Sequence, residues 1–418
     1  MGTPLGPIVI TYISFFLTLI ICMQVLDKFI KGYFQVNIAI LACAFLFSVL
    51  YKILISNFSD QSHLYFYEFI KNIDFQMLLI KYLLSYMLFA GSLLCDLKAI
   101  RQQKWSIFSL AFLGTVSSTA IVGIITYLIL HAFGINTAIT YCLLFGAFIS
   151  PTDPIAVLDM LKFLNAPKKL REIIAGESLF NDGVAIVIFI TLLNIVNKEI
   201  STVTSVTILF IQSSFGGLFF GFILGWIAIQ LMNLGHKENE IDILLTLWIT
   251  TTGYWLANHL QVSGPLAMVV SGIYIGNYIT QTRKKALCTF WSTIDHVLNA
   301  ILFFLIGFEF ILYDFNSMNY LIPIILLIVC LFSRFISVLI SLNLFKIKPR
   351  ILKNEQIIIM FGGLKGGLTI ALSFLIPASP EDFIFKITAY FLVVFSIIVQ
   401  GLTIKPLMHA LDYTHSEK

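Results

Sequence analysis

The chain has 418 residues, 59% of them hydrophobic and only 11% charged, with a formal net charge of +4 and a mean hydropathy of +0.94. A soluble domain needs about 25% charged residues to solvate its surface, so this composition excludes one and marks a polytopic membrane protein. The six cysteines (Cys22, Cys43, Cys95, Cys142, Cys288, Cys330) are scattered through apolar runs without CxxC spacing, which offers neither a disulfide framework nor a zinc site, and no nucleic-acid signature is present.

Apolar runs of about 20 residues, the length that crosses a bilayer, give thirteen spans. The first, 8–26, lacks a basic n-region and a small-residue cleavage site, so it reads as a retained helix rather than a signal peptide. Spans two to six follow at 34–50, 77–95, 108–130, 139–161 and 173–196. The seventh, 206–232, is rich in glycine (Gly216, Gly217, Gly221, Gly225), as suits close helix packing. The others fall at 241–260, 263–279, 290–313, 320–345, 356–377 and 387–404, with an unusually short turn between the eighth and ninth.

Basic residues sort by side. One set of loops holds Lys28, Lys31, Lys98, Arg101, Lys104, Lys162, Lys168, Lys169, Arg171, Lys237, Arg283, Lys284, Lys285, Lys346, Lys348, Arg350, Lys353, Lys405 and Lys418. The opposite set holds only Lys52, Lys71, Lys198 and Lys386, a nineteen-to-four asymmetry. The positive-inside rule therefore predicts an outside N-terminus and a cytoplasmic C-terminus, in an inner (plasma) membrane. Lys81, Arg334 and Lys365 remain within spans.

Two spans are interrupted. The fifth carries Ser150-Pro151-Thr152-Asp153-Pro154, whose prolines each disfavour helix at the preceding residue. The twelfth carries Gly362-Gly363-Leu364-Lys365-Gly366-Gly367, a poor helix centre. These spans are seven apart, which predicts two inverted six-helix repeats, about 8–196 and 241–404, joined by a linker helix at about 206–232. The expected fold is all-α, with helices 5 and 12 discontinuous and able to cross. Residues 1–418 are read as a single transmembrane domain without a soluble regulatory domain. At such a crossing Asp153 falls near exposed helix N-termini and Lys365 near exposed C-termini, where each neutralises a dipole. The freed carbonyls around Thr152, with the Asp153 carboxylate, are hard oxygen ligands suited to a small monovalent cation.

The sixth span contains Gly176-Glu177-Ser178-Leu179-Phe180-Asn181-Asp182-Gly183. Each charge in such a run costs about 2.5–3.5 kcal/mol to insert, so intramembrane ionisable residues read as functional. Helical spacing puts Ser178 and Asp182 on one face and Glu177 and Asn181 on the adjacent one. Helix packing alone accounts for a lone Ser or Asn, but poorly for these four together. Glu177 needs a cation, and Arg334, deep in the eleventh span, is the natural partner in a structural ion pair. That leaves Asp182 as the carboxylate free to titrate, where a proton and a metal cation compete. Asp295-His296, Glu309 and Lys81 read as helix-end or snorkelling groups. No HExxH, P-loop or GxSxG motif is present, so no enzyme chemistry is expected.

The 176–183 stretch closely resembles the signature of the sodium/proton exchangers of the NhaP/NHE type. Thr152-Asp153-Pro154, Ser333-Arg334 and Gly362-Gly363-Leu364-Lys365-Gly366 match further landmarks of that family in the same order. The resemblance implies a core domain with crossed broken helices, a dimerisation domain giving a homodimer, and alternating access. It implies Na⁺ coordination at Asp182, Asp153, Ser178 and Thr152, and a structural Glu177–Arg334 pair. The Asn181-Asp182 pair goes with electroneutral exchange. Lys365 departs from the usual Arg, keeping the charge without the planar fork. The expected substrates are Na⁺ or Li⁺ and H⁺, with membrane lipid around the protein and no cofactor. K⁺/H⁺ exchange and, from another class, a transport-silent sensor or channel on the same fold stand as alternatives.

Overall fold

The computed structural model describes residues 36–57, 83–154, 157–158, 161–162, 166–197, 203–234, 239–312, 321–344, 351–377, 379 and 381–411. The first predicted span with Cys22, Lys81 in the third span, and Lys28, Lys31, Lys71, Lys198, Lys237, Lys346, Lys348, Arg350 and Lys418 lie outside the described residues. Among those described, the regular structure is entirely helical. Among the described residues, six helices are long and apolar enough to cross a membrane, and shorter apolar helices accompany them.

The chain packs as two compact units, Met1–Ile73 with Val297–Asn316, and Asp74–His296 with Ser317–Lys418. In the first, helix α1 (Val36–Asn57) lies against residues 297–312. Ser48 donates to the Gly307 carbonyl at 2.9 Å, and Phe45 meets Phe310 edge-on at 4.9 Å. Lys52 lies over the Phe310 ring at 5.0 Å.

The second unit begins with α2 (Leu84–Leu93), α3 (Leu97–Gln102) and α4 (Lys104–Ala132), the last interrupted by a π-turn at Ser109–Gly114. Helix α5 (Ile139–Ile149) and helix α6 (Lys168–Val196) follow, then α7 (Val203–Leu234). Helix α8 (Asn239–Trp248) continues through a π-turn, Ile249–Gly253, to Tyr254–His259. Helix α9 (Gly264–Tyr278) starts after a turn in which Gln261 takes a positive φ of 57°. The Ser263 hydroxyl caps it by accepting from the Leu266 N–H at 3.3 Å. That cap is why so short a turn suffices between the eighth and ninth spans.

Helix α10 (Gln281–Glu309) begins nine residues before the predicted tenth span, so Arg283, Lys284 and Lys285 ride its first turns rather than a loop. Asp295 and His296 accordingly lie midway along it and do not open it. The physical reason is an i, i+4 series: Arg283, Leu287 and Trp291 are buried while Lys285, Thr289 and Thr293 are exposed. Averaged hydropathy misses such an amphipathic start. Arg283 pairs with the buried Asp242 of α8 at 3.1 Å and donates to the Met232 carbonyl of α7 at 2.7 Å. The remaining helices are α11 (Leu321–Leu344), α12 (Lys353–Phe361), α13 (Gly367–Ser373) and α14 (Asp382–Phe395). The last runs on through a π-turn at Ser396–Gln400 into Gly401–Ala410.

Helix α7 lies directly on α9. A Cβ at Gly217 would meet the Ser263 backbone, and one at Gly221 would run into the Ala267 backbone. Backbone atoms cannot swing aside as side chains do, so Gly221→Leu should prise the two helices apart. We expect a loss of about 1–3 kcal/mol, read as a melting temperature several degrees lower in detergent-solubilised protein. An unchanged melting temperature would show that α7 and α9 are not packed at this distance.

Candidate functional site

The interruptions in spans five and twelve fall where proline and glycine predict them. Helix α5 ends at Ile149, residues 150–154 take no regular secondary structure, and helical geometry returns at 157–158 and 161–162. Helix α12 ends at Phe361 and α13 resumes at Gly367. The two unwound stretches touch: the Asp153 N–H donates to the Leu364 carbonyl at 2.8 Å. Gly366 presses against Asp153, and a Cβ there would occupy the space of the Asp153 side chain.

Interrupting a helix orphans the carbonyls at its C-terminal end, and at membrane depth water cannot satisfy them freely. Two buried cations answer this. Lys365 Nζ donates to the Ser150 carbonyl at 3.0 Å and the Pro151 carbonyl at 3.1 Å, at the end of α5. Arg334 Nη2 donates to the Ile359 carbonyl at 3.1 Å, near the end of α12.

Helix α6 crosses beside these segments and brings its polar face to them. Glu177, Ser178 and Asn181 are all buried. Arg334 grips Glu177 in a two-pronged contact, Nη1 to Oε1 at 2.8 Å and Nη2 to Oε2 at 3.1 Å. Gly363 lies against the guanidinium, where any side chain would collide with it. Asn181 Nδ2 donates to Thr152 Oγ1 at 2.7 Å and to Glu177 Oε1 at 3.2 Å, while its Oδ1 accepts from the Thr152 N–H at 3.4 Å. Ser178 donates its hydroxyl proton to the Thr152 carbonyl. Asp182 also meets the Thr152 backbone and lies within the fields of Asp153, Glu177 and Lys365.

Thus Thr152, Asp153, Glu177, Ser178, Asn181, Asp182, Arg334 and Lys365 all come together at one crossing. Asp153 and Asp182 are only partly buried, although Thr152, Asn181 and Gly183 beside them are buried. The two carboxylates, the Thr152 carbonyl and the Ser178 hydroxyl form an all-oxygen donor set, the chemistry that hard monovalent cations prefer.

Other polar pairs went unread in the sequence. Besides Asp242–Arg283, Lys169 of α6 approaches the buried Glu355 at 3.3 Å, and Glu355 in turn accepts from the Leu352 N–H at 2.7 Å to cap α12. Ser396, beyond the end of α14, accepts from the Lys365 N–H and in turn donates to Gln400. The signal available for Asp242 was an acid entering an apolar run four residues after Lys237-Glu238. For Ser396 and Gln400, uncharged and within a run of Ile, Val and Phe, the sequence offers none.

If Glu177 and Arg334 neutralise each other, Glu177→Ala and Arg334→Ala should each cost about 3–5 kcal/mol, because each strands a buried charge. The double substitution should cost less than the two singles together. Thermal denaturation of the three purified variants checks this, and additive losses would contradict the pairing.

Comparison with known proteins bears on what this arrangement is for. The family described as "Sodium/hydrogen exchanger, transmembrane" matches residues 17–410. The Na(+)/H(+) antiporter NhaP of Pseudomonas aeruginosa is 41% identical over 352 residues, covering 82% of each chain. The Na(+)/H(+) antiporter NhaH of Halobacillus aidingensis is 31% identical over 349 residues, covering 81% of this chain and 84% of its own. In fold, the sodium proton antiporter MjNhaP1 of Methanocaldococcus jannaschii superposes with a TM-score of 0.74 over 98% of this chain and 100% of its own, at 17% identity. On the family match and the identity to these relatives, the chain is an integral membrane protein that belongs to the sodium/hydrogen exchanger family.

Proposed function

We propose that the protein is a secondary antiporter exchanging one Na⁺ or Li⁺ for one H⁺ across the membrane, with Asp182 as the shared site. The observation that carries this is the meeting of the Thr152–Asp153 segment with the Ser178–Asp182 face of α6 at partly accessible depth, in a chain of this family. In this reading a cation entering the site exchanges water for the Asp182 and Asp153 carboxylates, the Ser178 hydroxyl and the Thr152 carbonyl. Asn181 positions rather than charges the site, since its amide is already committed to Thr152 and Glu177. A proton on Asp182 removes the charge that holds the cation, so the site carries either ion but not both. Glu177–Arg334 and Lys365 supply the fixed frame.

The same reading divides the chain into repeats at about 8–196 and 241–404 with a linker at about 206–232. Alternating access then comes from the crossing moving against the rest of a homodimer in the plasma membrane. The C-terminus lies in the cytoplasm, following the loop charges. K⁺ shares the oxygen chemistry and is the substrate to compare directly.

Asp182→Asn keeps size and hydrogen bonding but removes the titrating charge, so it should abolish exchange while leaving the melting temperature near that of the parent. Proton flux in sealed vesicles under separate Na⁺, Li⁺ and K⁺ pulses tests this, and retained exchange in the variant would exclude Asp182 as the shared site. Apparent Na⁺ affinity should fall as pH falls, because protons occupy the same carboxylate. A one-for-one cycle moves no net charge, so it ignores the roughly 2.3 kcal/mol per charge available at 100 mV. Uphill Na⁺ movement driven by a potassium–valinomycin potential alone would overturn electroneutrality.

A further inference from the structure

Helix α14 carries its π-turn, Ser396–Gln400, at the point where it passes the unwound segment of span twelve. The Lys365 N–H, released from any helix by the break, donates to Ser396 Oγ at 2.8 Å. That oxygen keeps its orientation because its own proton goes to Gln400 Oε1 at 2.5 Å. Ser396 is fully buried, so no water replaces its bond to the Lys365 N–H. The Lys365 peptide held in this way is flanked by two contacts of the ion site. Its neighbour Leu364 offers the carbonyl that meets the Asp153 N–H, and its own side chain reaches the Ser150 and Pro151 carbonyls. π-Turns insert a residue at a local cost and persist chiefly where they aim a functional group.

The arrangement on α6 has the same spacing. There Ser178 contacts the unwound segment of span five and Asp182 stands four residues on. On α14, Ser396 contacts the unwound segment of span twelve and Gln400 stands four residues on. An amide in place of the carboxylate makes the α14 contact a holder without charge.

We propose that Ser396 and Gln400 are a positioning pair for the ion site. They fix the Lys365 peptide, and through it the register of Leu364 against Asp153, and thereby set cation affinity rather than the capacity to turn over. The inference rests on the exchange reading above. Its test uses the full chain, by ²²Na⁺ binding to purified protein and by Na⁺-dependent proton flux in vesicles, for the parent, Ser396→Ala, Ser396→Thr and Gln400→Leu. Losing the acceptor of a buried N–H should raise the Na⁺ half-saturation of Ser396→Ala about ten-fold, with maximal flux per folded protein within about two-fold of the parent. Ser396→Thr, which keeps the hydroxyl, should restore the parent value, and Gln400→Leu should fall between. A lowered yield or flux with parental half-saturation would reveal mere structural support and overturn the proposal, as would failure of Thr to restore what Ala loses. Should Ser396→Ala not fold, Gln400→Leu, which leaves the Ser396 hydroxyl in place, decides by the same half-saturation criterion. Absence of exchange in the parent under Na⁺, Li⁺ and K⁺ overturns the exchange reading and this inference with it. Exchange in the parent with unmoved half-saturation in the variants overturns the inference alone.

Discussion

The hydrogen bond from the Asp153 N–H to the Leu364 carbonyl is the contact on which the rest depends. Irregular backbone at membrane depth survives only where protein or an aqueous cavity satisfies it, and here two irregular stretches satisfy each other. The bond disposes of one donor and one acceptor. What remains is directional: carbonyls pointing out of the ends of α5 and α12 need cations, and Lys365 and Arg334 provide them. Those two cations then fix where acids are tolerated. Glu177 lies within reach of Arg334, Asp182 lies in the field of Lys365, and Asp153 lies at the broken ends themselves. The order of causation runs from proline and glycine, through unpaired backbone, to a concentration of charge that an apolar bundle would otherwise reject.

The sequence makes this region legible because its signals are local. Two prolines three apart, Pro151 and Pro154, and four glycines clustered around Lys365 concentrate helix breakers at two points, so the unwound stretches were predictable to within a residue or two. Charges in apolar runs are equally visible, which is how Glu177 and Arg334 could be matched across 157 positions of chain. Features that depend on register were not legible. The early start of α10 shows only as an i, i+4 series beginning with a cation, Arg283, whose acid partner lies on another helix. The π-turns at Ser109–Gly114, Ile249–Gly253 and Ser396–Gln400 leave no compositional mark. They decide which side chains a helix turns toward its neighbours, as with Ser109, which donates to the Ser341 carbonyl of α11 at 2.5 Å. A periodicity argument assumes one uniform turn, and each π-turn resets it.

Lysine at 365 fits this geometry in its own way. Arginine presents a planar fork matched to a carboxylate, whereas an ammonium is a point donor with three protons. The carbonyls of Ser150 and Pro151 converge on a single nitrogen at 3.0 and 3.1 Å, and that is a task for a point donor. Arg334, by contrast, uses its fork, with two prongs on Glu177 and one of those shared with Ile359.

Counting formal charges at the crossing gives the proposed exchange, one ion at a time, an electrostatic basis. Glu177, Asp153 and Asp182 bring three negative charges, and Arg334 and Lys365 bring two positive. With every group ionised the cluster is left one negative charge in excess, in surroundings where Coulomb energies are several times those in water. A single monovalent cation cancels that excess, and so does a single proton. Adding both overshoots, and adding neither leaves the excess unscreened, so the empty and doubly loaded states are the costly ones. Asn181 matters to this balance by what it lacks: an acid there would leave two negative charges to cancel, and the site would then admit a second positive ion. The amide keeps the cluster one charge from neutrality, so that in the proposed exchange the sodium-loaded and proton-loaded forms are electrostatically alike and the passage of either across the membrane is comparable in cost.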